Sequence, residues 1–267
     1  MISNINYNYQ PIFGANLNSS KLKLRRKDFY IKIPGYGKNF FWAERMKRTT
    51  NYITDMIRKG MPVETVLRCA SAGVVSANYL TRDFAKKIAT GILRTQRMGW
   101  KNRHSDFDAF TPYKLGPYKV YEKQLDATYL LPLTPINRDL AMSTPDGFGE
   151  IVHGHPRLIN NSLDYIFDLF NNKYTKFLKK DVKAEDLNEI IDVVAEIRWI
   201  IAHATPWLRG SDAISNVFMR AMLKAVGVKA SSPAKGISFD LEAYCNELPA
   251  YKSKFNSYFE KPLRVIE

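Results

Sequence analysis

The chain has 267 residues, 45% of them hydrophobic, with 40 Lys or Arg against 26 Asp or Glu and only two cysteines. That length and apolar content support a real core, in one large domain or two small ones. No apolar run approaches the roughly 20 residues of a membrane span, the start MISNINYNYQ lacks a secretory signal pattern, and Cys69 and Cys245 build neither a disulfide framework nor a cysteine zinc site.

The charge is lopsided. Residues 1–104 hold 20 Lys or Arg against 5 Asp or Glu, a net of +15, whereas the remainder holds 20 against 21. A field of that size predicts attraction to something acidic: nucleic acid, a phospholipid surface, an acidic partner or an anionic substrate. The plainer reading is a basic face that serves solubility.

In chain order, residues 1–20 are polar, rich in Asn, Ser and Tyr, and read as a mobile leader. Such a leader, with abundant Asn, Lys and Ile, fits a bacterial protein that stays in the cytoplasm or is exported into a host cell. Residues 21–104 read as a basic helical extension. Its first part interleaves Lys21, Lys23, Arg25, Arg26 and Lys27 with Phe29, Tyr30, Phe40, Phe41 and Trp42. That mixture can bind single-stranded nucleic acid, or the aromatics can pack inward while the charges face water. Helices are expected near 43–59 and 62–98, the second interrupted around Gly73 and Gly91. The small-residue stretch CASAGVVSANY predicts a close approach of two helices; it lacks the GK[ST] ending of a phosphate loop.

Residues 105–267 read as a helical core. Prolines and glycines punctuate 107–157, with short strands expected at 118–125 and 149–153 as a small β hairpin. His153 and His155 would share a strand face, but no third ligand follows, so no metal site is expected. Helices are expected at 157–171, 183–204, 211–226 and 239–259, with Pro249 bending or dividing the last. The fold class is mainly α.

The stretch WIIAHATPWLRGSDAISN, residues 199–216, carries the strongest functional signal. Leu187, Ile190, Ile191, Val194, Ile197 and Ile201 form the apolar stripe of a helix before it. Ile214, Val217, Phe218, Ala221, Met222 and Ala225 form another after it, ending at Gly227 as a C-cap. Pro206 ends the first helix, and Ser211 or Asp212 is placed to cap the second. A helix N-terminus preceded by Arg209 and Gly210 is an anion site in waiting: oriented N–H groups, a positive dipole end and a guanidinium. Helical hairpins with Gly and Pro in the turn also occur with no ligand at all, and His203 would then be a core histidine.

Residues 137–233 resemble, in layout, the core of Fic domains: a flap region at NRDLAMSTPDGFGEIVHGHPRL, helices, then a long helix running into a motif loop and a second helix. Pro206, Trp207 and Gly210 match the loop's proline, aromatic and first glycine. Thr205 stands where the family's catalytic His would be, and Arg209 replaces its acid. The resemblance implies ATP or another nucleotide, with magnesium, as cofactor. It implies transfer of a nucleotide or other phosphate-linked group to a host or target protein, as in an effector or toxin. His203 is the histidine nearest the turn and is taken as the base. Arg209 is taken as a phosphate clamp, and Gly210, Ser211 and Asp212 as phosphate-binding. The alternative is a non-catalytic helical effector that binds an acidic host partner or nucleic acid through its basic N-terminal half.

Overall fold

The computed structural model describes residues 22–32, 39–81, 84–95, 99–101, 136–137, 150–152, 156 and 159–266. The leader, the 104/105 boundary, the expected strand at 118–125 and both His153 and His155 lie outside the described residues. The fold is mainly α, as the apolar periodicity implies. In chain order the helices are α1 Phe40–Arg58, α2 Val63–Asn78, α3 Phe84–Ala89, α4 Ile159–Asp168, α5 Leu187–Ala204, α6 Ser211–Ala225, α7 Phe239–Cys245 and α8 Leu248–Lys254. Two small antiparallel sheets accompany them. One orders Gly99–Lys101 (β1), Glu150–Val152 (β3) and Ile136–Asn137 (β2) with β3 in the middle, and the other pairs Val228–Lys229 (β4) with Arg264–Val265 (β5).

Helix α5 is the axis. Every residue from Val193 to Ala204 is buried, because α4, α6, α7 and α8 all pack on it. Helix α6 buries the whole predicted stripe from Ile214 to Ala225 and is covered on another side by α1 and α2. The basic N-terminal helices therefore share one hydrophobic core with the C-terminal ones: Met46, Ile53 and Val74 belong to the same cluster as Ile197 and Val217.

The small-residue stretch of α2 does what its composition suggests. A Cβ on Gly73 would lie 2.2 Å from Thr49 Cγ2, so glycine lets α1 and α2 touch through backbone. The expected helix at 62–98, in contrast, is two helices and an extended segment. The chain leaves α2 after Asn78, not at Gly73, since the Asn78 amide accepts from Trp42 Nε1 at 2.9 Å and donates to Thr90 Oγ1 at 2.8 Å. Gly91, at φ +78°, then starts a stretch that pairs with the 206–209 turn: Arg94 N to Pro206 O at 2.8 Å, Leu208 N to Ile92 O at 2.9 Å and Gly91 N to Arg209 O at 3.3 Å. The last predicted helix is likewise divided into α7 and α8, with Pro249 in the first turn of α8, where its missing N–H is harmless.

Candidate functional site

The turn between α5 and α6 is built by three devices. Thr205 closes α5 in the left-handed region, at φ 41°, with its hydroxyl donating to Ala202 O at 2.7 Å. Arg94 reaches in from the paired segment, and its guanidinium donates to Thr205 O and Ala204 O, both at 3.0 Å. Two carbonyls left over at the end of α5 are thereby satisfied by a cation, the charge that a helix C-terminus favours. Gly210, at φ +89°, then turns the chain into α6, and a Cβ there would meet Thr90 Cγ2 at 2.9 Å.

The start of α6 differs from the expectation in one respect. Gly210, not Ser211 or Asp212, is the N-cap, and no side chain caps the helix. The Ser211 hydroxyl turns back instead, accepting from Trp207 N and donating to Trp207 O at 3.2 Å. The N–H groups of Ser211, Asp212 and Ala213 consequently have no acceptor among the described residues. Beside them Arg209 is exposed, and its side chain makes no hydrogen bond or ion pair among the described residues. Arg209, Gly210, Ser211 and Asp212 thus bring together three donors with no acceptor among the described residues, a positive helix end and an exposed guanidinium.

Asp212 is engaged differently from a simple phosphate ligand. Its Oδ1 pairs with Arg198 Nη2, whose side chain is 0% exposed, while Asp212 itself is 29% exposed and its Oδ2 makes no hydrogen bond among the described residues. Burial and the neighbouring Asp240 carboxylate push the Asp212 carboxyl up to about 6, against the pull of Arg198. Arg198 is opposed by its own burial, but Asp212, Tyr251 and Asp240 together raise it. Its Nε and Nη1 find no partner among the described residues, and the ring of Phe239 lies 5.8 Å from the guanidinium carbon. Sequence reasoning missed Arg198 and Asp240. The available signal was a single cation, EIRWII, inside an apolar helical run.

His203 is not brought to this site. It is 1% exposed, with Nε2 at 3.0 Å from Ala243 O and its ring between Trp199 at 4.0 Å and Tyr244 at 5.7 Å. A general base must reach a substrate proton, and this imidazole is packed in the core against Trp199 and Tyr244.

Among the described residues no group of three His, Cys, Asp or Glu could hold a metal ion, and no helix is long and apolar enough to cross a membrane.

Residues 139–262 match the model of the AvrB_AvrC family, described as avirulence protein. The match contains α4 to α8 and the whole of the α5–α6 turn. It overturns the resemblance to Fic domains, since the family matched is a different one. The similarity is to avirulence effectors and agrees with the effector class expected from the sequence. No curated protein matches the chain.

Proposed function

We propose that this protein is an effector delivered into a host cell, where it acts on a host protein, and that the α5–α6 turn binds a phosphate-linked ligand for a group-transfer step. The observation that carries the ligand reading is the set of three N–H groups at the start of the 15-residue helix α6 that, like the flanking Arg209 side chain, have no partner among the described residues. Oriented amides, a helix dipole and a guanidinium fork are the usual phosphate-binding components. The phosphates of a nucleotide such as ATP fit these donors. Magnesium enters this proposal only as a companion of the nucleotide's own phosphates, because Asp212 is tied to Arg198 and Asp240 accepts from Leu241 N and Ser238 Oγ. Asp212, with Oδ2 open beside the donors, is the acid–base group within reach of a bound ligand.

Calorimetric titration of the full chain with ATP and magnesium tests the reading. Arg209→Ala is expected to weaken binding by about 1–3 kcal/mol, the usual loss of a charge-assisted hydrogen bond, with an unchanged melting temperature because Arg209 is exposed. Equal affinity in both proteins removes Arg209 from the site, and no measurable binding to wild type removes the site.

A further inference from the structure

We infer that the outer face of α1, continued along the corner of α2 and α3, is a docking surface for an acidic amphipathic helix of a target protein. On α1, Phe41, Arg45, Arg48 and Tyr52 are all exposed and recur at the spacing of a single helical stripe. Phe41 is 68% exposed and Tyr52 59%, so two large aromatic groups flank two guanidinium groups along about three turns. The surface does not end with α1. Asn39 Nδ2 lies 3.5 Å from Leu80 O, which sets Phe40 beside exposed Tyr79 and Leu80 at the end of α2. Further along the chain, Ile88 of α3 and Ile92 and Leu93 of the segment that pairs with the 206–209 turn are also exposed.

Charge decides the occupant. Arg26 lies over the Phe40 ring at 3.9 Å, and Arg45 and Arg48 stand within the stripe, in a half of the chain carrying 20 basic against 5 acidic residues. Exposed apolar area of this kind, rimmed by more cations than the single carboxylate of Glu44 that pairs with Arg26, Lys47 and Arg48, fits a helix with an apolar face and acidic flanks. A nucleic acid fits less well. The rings of Phe40, Phe41, Tyr52 and Tyr79 can stack on bases, but exposed Leu80, Ile88, Ile92 and Leu93 add aliphatic area that a base does not use and the apolar face of a helix does. This surface is independent of the phosphate reading of the turn.

The test uses the full chain and two labelled amphipathic peptides of about 18 residues, identical except that one carries Glu and the other Lys beside a Leu face. Fluorescence anisotropy in about 0.1 M salt should show the Glu peptide bound at least about tenfold more tightly. Phe41→Asp should lose at least about tenfold of that affinity, Arg45→Glu with Arg48→Glu should reverse the preference, and Arg209→Ala should leave it unchanged. Phe41 lies in the first turn of α1, where an acidic residue suits the helix dipole, so the Asp variant keeps its fold, which a melting curve verifies. The inference is overturned if neither peptide binds, if charge or Phe41→Asp makes no difference, or if single-stranded DNA or phosphatidylserine vesicles outcompete the Glu peptide. It is equally overturned if Phe41→Asp abolishes a self-association of the chain seen by sedimentation.

Discussion

Arg94 shows how one side chain can fix a turn. It is 3% exposed, and its guanidinium spans the two final carbonyls of α5 from a segment more than a hundred residues away in sequence. Arg94→Ala leaves both acceptors buried without that donor and should cost about 3 kcal/mol; Arg94→Lys should recover little, since an ammonium lacks the planar fork. Chemical denaturation of both variants checks this, and a loss within a few tenths of a kcal/mol would mean that other donors already serve those carbonyls. Asp212 gives a pH dependence with a definite sign. Its folded value of about 6 lies above the ordinary 3.8, so the folded state holds the proton more tightly than the unfolded one. The resulting stabilisation is fully present below about pH 4 and is lost as pH rises through about 6. The difference in unfolding free energy between wild type and Asp212→Asn should therefore shift against wild type across that interval. A difference that stays flat from pH 4 to pH 7 contradicts the account.

At the level of elements, the apolar stripes at 187–201 and 214–225 were sufficient to place α5 and α6, because each stripe had a large partner surface to bury against. The end of α2 was not legible. Nothing in ANYLTRDF breaks a helix by itself; the break is imposed by tertiary bonds of the Asn78 amide to Trp42 and Thr90. The cap of α6 was misread for a related reason, since the Ser211 hydroxyl is captured by Trp207 of the turn. Gly73 offers a test of the α1–α2 contact. In Gly73→Ala the new Cβ collides with Thr49, a buried and β-branched side chain with little room to move. The variant should lose about 1–2 kcal/mol, after the gain of up to about 1 kcal/mol in helix propensity is offset by overpacking. A thermal melt in which Gly73→Ala is the more stable protein would show that the helices separate freely.

Across the whole molecule, the ends of the described chain are bound together. Asp28 accepts from Ser232 Oγ at 3.1 Å, Lys32 pairs with Glu260, and Arg220 lies between the rings of Phe29 and Phe259. The described part of the basic N-terminal region thus shares one core with the C-terminal helices, and some of its cations are consumed by structure. Arg58 donates to Lys224 O and Ala225 O at the end of α6, as Arg94 does for α5. Composition could count these cations but not say which ones cap helices, because that depends on partners 110 or more residues away. The turn between the two apolar stripes was legible; the burial of His203 was not, since it depends on the packing of Trp199, Tyr244 and Ala243 around it. The most direct measurement of the central claim is an amide NMR titration of the full chain with ATP and magnesium. The account predicts saturable shifts of the Ser211, Asp212 and Ala213 amide resonances, at lower ligand concentration in wild type than in Arg209→Ala. Shifts confined to other parts of the chain, or none on saturation, would contradict it.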